Sequence, residues 1–583
     1  MAWYDEAIFY HIYPLGLCDA PKENDYGEPV HRLNEILPWI NHIKNIGCNA
    51  IYIGPLFESV GHGYETTDYK KLDSRLGDNA DLTNFVKECH AQGIKVILDG
   101  VFNHVGRDFF AFKDLQKNRE GSAYRDWFCN VNFGGNNEYN DGFCYENWGG
   151  YNLLVKLNQR NPAVRDYICD VIRFWVSEYD IDGIRLDAAD VLDFDYMKSL
   201  RGVANEVKPD FWLMGEVIHG DYTRWVNEGT LHSVTNYQLH KALYSGHNDH
   251  NFFEIAHTVK RLYEMGGNRP DGLKLYNFVD NHDVERIYTK LQNKAHYTPV
   301  HILLYTLPGV PSIYYGSEFG IEGKKEKFSD ASLRPALKYD DYKNAINDNP
   351  CTKLIAALGK ARQSSKALSY GDYKELMLTN RQYAFSRNYN GASVVVTVNN
   401  DDSDFTMTVP AGNCAEYVGA LSGQKVSVNN GQICVNVKAN SGDIWLPVTG
   451  DTPEITPEPV CTDVVPSVNE ASAPDQKLAA VSTDNAPVET VSPAEPSCAP
   501  SKEVADAEVT SDHSVSEKPA PELKLSETEK AYNDGFEKGK IAGLQEAILA
   551  IMEKNGNVTD QMRNDVYNNV YHDSLVNWVK SFR

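Results

Sequence analysis

The sequence predicts an α/β protein built on a (β/α)8, or TIM, barrel and followed by an antiparallel β domain. As far as about residue 316, short apolar runs end in polar or glycine-rich turns, and amphipathic stretches of helical period separate most of them. This alternation is typical of β-α units around a parallel sheet. From about residue 370 to residue 448 the apolar period changes to two, which favours antiparallel strands. A chain of 583 residues is long enough for both parts.

Eight apolar runs are predicted as strands, and eight is the number of strands in a closed barrel of this kind. Helices are predicted at His31–Ile46, at Leu82–Gln92 and at Pro162–Tyr179, where Pro162 occupies the first turn. We therefore assign residues 1–103 and 159–368 to the barrel. The predicted strands are Ala7–Pro14, Ala50–Gly54, Lys95–Asp99, Gly183–Asp187, Trp212–Glu216, Ser233–Tyr237, Lys274–Val279 and Pro311–Tyr315.

Residues 104–158 break this rhythm and predict a small domain inserted after the third strand. The segment is rich in Gly, Asn and aromatic residues. Its aromatic side chains either pack the insertion or offer flat faces to a ligand. We therefore expect an irregular fold for this insertion.

Three further segments follow the barrel. Residues 369–449 alternate apolar and polar positions, as in Val394–Val398 and Ile433–Val437, and predict an antiparallel β-sandwich domain. Residues 450–523 contain no aromatic residue and many Pro, Ala, Val, Ser and acidic residues, which predicts a disordered acidic linker. Residues 524–583 return to helical period, and their apolar face predicts a helical module that self-associates or docks on a protein partner.

The charge of the chain excludes some classes of partner. The 81 acidic and 56 basic residues give a net charge of −25, which argues against nucleic-acid binding but not against a neutral ligand such as a sugar. The sequence contains no apolar run long enough to span a membrane, and its start does not resemble a secretory signal. The 11 cysteines are scattered and form no CxxC pair. We therefore expect a cytoplasmic protein with reduced thiols that binds no membrane.

Polar residues follow four of the predicted strands, namely the third, fourth, fifth and seventh. Because parallel barrel strands all end at the same face, these side chains are expected to meet in one pocket. Alternation along the fourth strand places Arg185 and Asp187 on the same side. The residues at these strand ends are Asp99, Asn103, His104, Arg185, Asp187, Glu216, His282 and Asp283.

The four strand-end motifs, DGVFNH, GIRLD, GE and DNHD, resemble those of the α-amylase family of glycoside hydrolases in order and position. The resemblance covers about residues 1–450 and includes the barrel, the inserted domain and the β domain. It implies that Asp187 is the nucleophile, Glu216 the general acid/base and Asp283 a third essential carboxylate. Arg185 and Asp187 alone would also fit a structural ion pair, but the set of four motifs favours catalysis.

The resemblance also implies roles for the neighbouring side chains. Arg185 would keep Asp187 ionised through its charge and a hydrogen bond. The two histidines would bind sugar hydroxyls, Tyr64 would stack under the sugar ring, and Asp99 would support the site. The residues expected to bind the substrate are thus Tyr64, Asp99, His104, Arg185 and His282.

Two carboxyl groups suffice for hydrolysis with retention, since one attacks the anomeric carbon and the other protonates the leaving oxygen. We therefore expect no cofactor for the chemistry. Members of the family often bind a structural calcium ion at the position of Asn103. The sequence leaves open whether this chain does so.

Two further stretches, Val155-Lys-Leu-Asn158 and Gly215–His219, resemble the neopullulanase, cyclomaltodextrinase and maltogenic amylase branch of the family. This implies cleavage of α-1,4-glucosidic bonds in an α-glucan or malto-oligosaccharide, with the preference among starch, maltodextrin, cyclodextrin and pullulan left open. A transglycosylase or isomerase would use the same carboxylates. A catalytically inactive relative and a carbohydrate-binding scaffold are further alternatives.

Overall fold

The computed structural model describes residues 2–267, 272–327 and 329–448. The predicted linker, 450–523, and the predicted helical module, 524–583, lie outside the described residues, and their predictions stay as they are. The described residues belong to the first of two compact units, Met1–Val488.

Eight parallel strands form the barrel, as the sequence predicted. Their order around the sheet is β6-β5-β4-β3-β2-β1-β8-β7, so neighbours in sequence are neighbours in space. The strands are β1 (Phe9–Ile12), β2 (Ala50–Ile53), β3 (Lys95–Gly100), β4 (Gly183–Leu186), β5 (Trp212–Gly215), β6 (Ser233–Val234), β7 (Tyr276–Asn277) and β8 (Val310–Tyr314).

The ring closes between β6 and β7 through few contacts. Within the described residues, one parallel bridge joins Thr235 to Tyr276, and the Asn236 backbone N–H donates to the Tyr276 carbonyl at 2.9 Å. The Asn236 side chain adds a bond to Asn277 Oδ1 at 2.8 Å. Both strands are shorter than predicted, and β6 ends early because Asn236 caps the helix that begins at Tyr237 by accepting from Leu239 N–H.

The interior of the barrel is packed with side chains rather than open. Phe9 stacks on Trp212 with ring centroids 5.0 Å apart, and Tyr52, Met214 and Tyr276 belong to the same buried cluster. Helices surround the strands. The longer ones are Trp39–Asn45, Asn79–Ala91, Pro162–Tyr179, Phe194–Val207, Tyr237–Asn248, Phe252–Met265, Tyr297–Thr306 and Pro350–Ser364.

Helix ends follow the local capping chemistry. The helix predicted over 31–46 is instead a 3-10 turn, Arg32–Ile36, followed by the helix Trp39–Asn45. Pro38 separates them because proline lacks the N–H that a continuous helix requires. Asn79–Ala91 starts three residues earlier than predicted, since Asp78 accepts from two backbone N–H groups of its first turn.

The insertion contains the helix Phe110–Asn118 and a three-stranded sheet of His104–Val105, Asn147–Trp148 and Tyr151–Lys156. Many of its aromatic residues pack it, as with the buried Phe112 and Phe143. Tyr151, in contrast, is 68% exposed. The predicted packing role is therefore observed, and a role of the insertion's aromatic residues in ligand binding stays a prediction.

The β domain has a six-stranded antiparallel sheet, β9-β10-β11-β16-β13-β14, and a two-stranded one, β12-β15. Strands β11 and β16 pack on the helix Tyr297–Thr306. All ten residues of this helix are buried, as expected for a helix that is apolar on every side. These strands are β9 (Lys374–Leu378), β10 (Gln382–Tyr389), β11 (Ala392–Asn399), β12 (Phe405–Pro410), β13 (Glu416–Gly419), β14 (Lys425–Ser427), β15 (Gln432–Val437) and β16 (Ser441–Pro447).

Two chemical features of the described ranges complete the fold. No disulfide joins the cysteines there, and five of them are buried: Cys18, Cys48, Cys89, Cys169 and Cys351. A search of the same ranges for a helix long and apolar enough to cross a membrane finds none.

Candidate active site

A cleft of about 350 Å³ opens at the carboxyl-terminal end of the barrel strands. The residues that the sequence singled out and that line this cleft are Tyr64, His104, Asp187, Glu216 and Asp283. Asp99, Arg185 and His282 lie buried beneath them. This is the end of a parallel barrel at which ligand sites form.

Arg185 is the centre of the buried charges. Its Nη1 donates to Asp99 Oδ1 at 2.8 Å and to Asp187 Oδ1 at 2.9 Å, and its Nη2 lies 2.8 Å from Glu216 Oε2. The guanidinium is 2% exposed. Its flat fork of donors holds three carboxylates in a fixed arrangement.

One positive charge does not balance three carboxylates. Burial raises the pKa of Asp187 well above its ordinary value, Arg185 lowers it, and the charges of Glu216 and Asp99 raise it again. The net direction is opposite to the one expected from Arg185 alone. Burial and the neighbouring carboxylates together therefore favour the protonated form of Asp187, and Arg185 opposes them.

Glu216 is held through both of its carboxylate oxygens. Oε2 accepts from Arg185 and, at 3.2 Å, from the Ala188 backbone N–H, while Oε1 accepts from the Tyr237 hydroxyl at 3.3 Å. Ala188 has φ 46° and ψ 43°, a left-handed conformation that is uncommon for a residue with a side chain. This turn directly after Asp187 aims the Ala188 N–H at Glu216.

Asp283 is paired with two basic side chains. Its Oδ1 accepts from Arg334 Nη2 at 3.0 Å, and its Oδ2 lies 3.0 Å from His282 Nε2. Burial would raise the pKa of Asp283, but the charge and hydrogen bond of His282, together with Arg334, lower it well below its ordinary range. Asp283 is thus ionised over the whole neutral range of pH.

Tyr64 connects two of the buried residues. Its hydroxyl donates to Asp99 Oδ2 at 3.1 Å and is hydrogen-bonded to His282 Nε2. The Tyr64 and His282 rings are nearly parallel, with centroids 5.7 Å apart and planes at 14°. This contact orients the Tyr64 ring at the edge of the cleft.

His104 is 1% exposed and presents an unused nitrogen. Its Nδ1 lies 3.2 Å from Asn103 Nδ2, whereas its Nε2 has no partner among the described residues. Burial lowers the pKa of His104 to about 3, so the ring is neutral at pH 7. A neutral imidazole can bond a sugar hydroxyl through its free nitrogen.

The sequence analysis missed Arg334 and Tyr237. Arg334 lies in the loop after β8 and donates to Asp283, and Tyr237 begins the helix after β6 and contacts Glu216. Neither residue belongs to a strand-end motif. A signal was present for Tyr237 alone, because it stands at the end of a predicted strand.

The Asn103 side chain is hydrogen-bonded to its protein neighbours. Asn103 Oδ1 already accepts from Gln159 Nε2 at 3.0 Å, and Gln159 Oε1 accepts from the Asp193 N–H at 2.6 Å. Across 2–267, 272–327 and 329–448, one group of His, Cys, Asp or Glu side chains has metal-like spacing, and it consists of His31, Asp78 and Asp81, away from Asn103. Its two aspartates already cap a helix.

Comparison with known proteins places this geometry in a family. The profile of the α-amylase catalytic domain matches residues 12–366. A cyclomaltodextrinase from Thermoanaerobacter pseudethanolicus is 33% identical over 419 residues, which cover 68% of this chain and 71% of that protein. Neopullulanase 2 from Thermoactinomyces vulgaris is 29% identical over 473 residues, or 76% of this chain and 78% of the relative.

A solved structure agrees with these sequence comparisons. The structure of a cyclomaltodextrinase superimposes with a TM-score of 0.68 and 26% identity, and the match covers 76% of this chain and 78% of the other. The predicted resemblance to the cyclomaltodextrinase and neopullulanase branch is confirmed by these relatives. The profile match spans more than half of the chain, and the chain therefore belongs to the α-amylase family of glycoside hydrolases.

Proposed function

We propose that the chain hydrolyses α-1,4-glucosidic bonds of malto-oligosaccharides and cyclodextrins with retention of anomeric configuration. The observation that carries this proposal is the pair Asp187 and Glu216 bound to the two amino groups of Arg185. One guanidinium binding both carboxyl groups supports a retaining mechanism, in which the two carboxyl groups are expected to lie about 5–5.5 Å apart. The substrate class is proposed by analogy with the cyclomaltodextrinase and neopullulanase relatives.

The first half of the reaction needs one protonated and one ionised carboxyl group. Glu216 gives its proton to the glycosidic oxygen while Asp187 attacks the anomeric carbon, and the bond to the leaving sugar breaks. In the productive complex the proton therefore has to lie on Glu216, and Asp187 has to be ionised. The product is a glycosyl ester on Asp187 and a released sugar with a free hydroxyl.

The second half reverses these roles. Glu216 removes a proton from a water molecule, the water oxygen attacks the anomeric carbon, and Asp187 leaves as a carboxylate. Asp283 stays ionised throughout, since His282 and Arg334 hold its charge, and it stabilises the positive charge that develops on the sugar. Tyr64 and His104 line the same cleft and are proposed to contact that sugar.

The substitution Asp187→Asn tests this proposal. The amide cannot form the glycosyl ester, so kcat on maltoheptaose should fall to less than about a hundredth of wild type. Proton NMR of the wild-type reaction should show the α-anomer first. The matched control is Asp195→Asn, an exposed residue on the helix Phe194–Val207, which should keep full activity.

Two results would contradict the proposal. Activity of Asp187→Asn above about a hundredth of wild type would exclude Asp187 as nucleophile, and early release of the β-anomer would show inversion. Products longer than maltoheptaose, as the main products, would show that sugar hydroxyls rather than water receive the glycosyl group. Comparing rates on maltoheptaose, cyclodextrin, pullulan and starch would define the preferred substrate.

A further inference from the structure

A chain of hydrogen bonds runs from the loop after β7 to Glu216. Asn281 Nδ2 donates to the Tyr237 hydroxyl oxygen at 3.2 Å, and that hydroxyl donates to Glu216 Oε1 at 3.3 Å. Tyr237 begins the helix after β6. This series of hydrogen bonds therefore crosses between β6 and β7, where the barrel closes.

The direction of these bonds is fixed by Asn281. Its Oδ1 accepts from two backbone N–H groups, those of Asp283 at 2.8 Å and Val284 at 3.1 Å. The oxygen must face these donors, so the amide nitrogen faces Tyr237. Because that nitrogen only donates, the tyrosine oxygen accepts, and its single hydrogen is directed to Glu216.

The contacts of Glu216 show which of its oxygens can carry a proton. Oε2 faces two N–H donors, from Arg185 and Ala188, and a hydrogen on Oε2 would point at one of them. Oε1 faces only the Tyr237 hydroxyl among the described residues. The proton that Glu216 delivers is therefore carried by Oε1, the oxygen that Tyr237 holds.

We propose that Tyr237 is a positioning residue that orients Oε1 of Glu216 for proton delivery, and that Asn281 sets the direction of its hydroxyl. The proposal rests on the proposed function, because it takes Glu216 as the acid. The Tyr237 ring packs edge-on against Phe278 with centroids 4.9 Å apart, which fixes the position of the hydroxyl. Burial raises the pKa of Tyr237 well above its ordinary value, so the hydroxyl keeps its hydrogen.

The substitution Tyr237→Phe removes the hydroxyl and keeps the ring. We expect kcat/KM on maltoheptaose, whose leaving group needs a proton, to fall at least about tenfold. On α-maltosyl fluoride, whose leaving group needs little protonation, kcat/KM should fall less than about threefold. A role in folding alone would lower kcat/KM equally for both substrates. The comparison uses kcat/KM because this constant covers only the steps up to the glycosyl-enzyme, in which Glu216 acts as the acid.

A second variant tests the direction of the hydrogen bonds from Asn281 through Tyr237 to Glu216. Asn281→Asp keeps the acceptor for the two backbone N–H groups but replaces the donor by an oxygen, which turns the Tyr237 hydroxyl away from Glu216. It should show the same difference between the two substrates, and the double variant should be no slower than Tyr237→Phe. Tyr244→Phe, on the same helix, is the matched control and should leave both rates unchanged.

Equal slowing on both substrates, or no slowing on maltoheptaose, in folded Tyr237→Phe and Asn281→Asp would overturn the positioning role. Failure of the proposed function would give a different result, because Asp187→Asn would then remain active. An inactive Asp187→Asn with equal slowing in the tyrosine variant would reject the positioning role alone.

Discussion

Arg185 shows how much of this site depends on one side chain. It bonds to Asp99, Asp187 and Glu216; Arg185, Asp99 and Asp187 are buried, and Glu216 is partly exposed in the cleft. A buried cation is stable only when it is paired, and here the number of carboxylates exceeds the number of cations. The excess negative charge contributes to raising the pKa of Asp187.

This balance predicts the effect of Asp99→Asn on pH dependence. The charge of Asp99 contributes to raising the pKa of Asp187, so its removal should lower that pKa. Asp187 must be ionised to attack, and the acid limb of kcat/KM should therefore move to lower pH. Asp195→Asn is the control without a shift. A shift of the limb to higher pH would contradict the charge balance described here.

At this scale the sequence predicted the residues at the ends of β3, β4, β5 and β7, because parallel strands place their ends together whatever the surrounding sequence. It did not predict the contacts of Arg334, which lies 51 residues after Asp283 in an irregular loop. The orientation of the Asn281 amide could not be predicted from the sequence either. It depends on two backbone N–H groups whose positions only the folded loop defines.

Among the elements, the junction at Gln159 joins three segments. Gln159 follows the insertion, bonds Asn103 in the loop after β3, and accepts from Asp193, the residue that caps the helix Phe194–Val207. An amide can do this because it both donates and accepts. We propose that this neutral link makes a calcium ion at Asn103 unnecessary.

Replacing Gln159 by alanine should lower the free energy of unfolding by about 1–3 kcal/mol, since the buried Asn103 side chain and the part-buried Asp193 N–H lose their partner. Urea titration measures this change, and Gln424→Ala, at an exposed position, is the control. In the wild type, EDTA should leave the melting temperature unchanged. A fall that calcium reverses would contradict the neutral link and support a bound cation.

Element boundaries were predicted best where one strong local signal acts. Pro162–Tyr179 has the bounds that the sequence predicted, because Pro162 and the Asn161 cap define its start. Pro38 indicates a break in the helix, but the prediction gave more weight to the long apolar pattern of residues 31–46. The strands β9 and β13 were missed because Lys374–Leu378 is largely polar at its start and Glu416–Gly419 is too short for a period of two.

Over the whole molecule, buried histidines lie where the barrel helices meet the β domain. His247 and His296 have ring centroids 5.8 Å apart, and the Asn400 side chain of the β domain donates to the His247 carbonyl at 3.5 Å. Burial lowers the pKa of His247 to about 3 and those of His296 and His301 to about 4. These rings are neutral in the folded protein at every pH above about 5.

The low pKa values predict acid lability. In the unfolded chain these histidines titrate near pH 6.5, so below that pH the unfolded state binds protons that the folded state does not. The free energy of unfolding should therefore fall as the pH falls from about 6.5 to 4. Urea unfolding at pH 7 and pH 5 measures it.

His296→Gln should reduce this loss of stability, whereas the exposed His257→Gln should not. Equal stability at the two pH values in the wild type would show that the buried histidines do not control acid unfolding. An unchanged loss in His296→Gln would exclude that ring in particular.

The sparse closure between β6 and β7 couples substrate binding to the integrity of the barrel. Glu216 stands on one side of this closure and Asp283 on the other, and the chain from Asn281 through Tyr237 crosses it. A sugar that contacts both carboxylates would act as an additional crosslink over the weakest part of the ring. By thermodynamic linkage, opening of the barrel between β6 and β7 would lower its affinity for the ligand. A bound ligand would in turn stabilise the closed barrel.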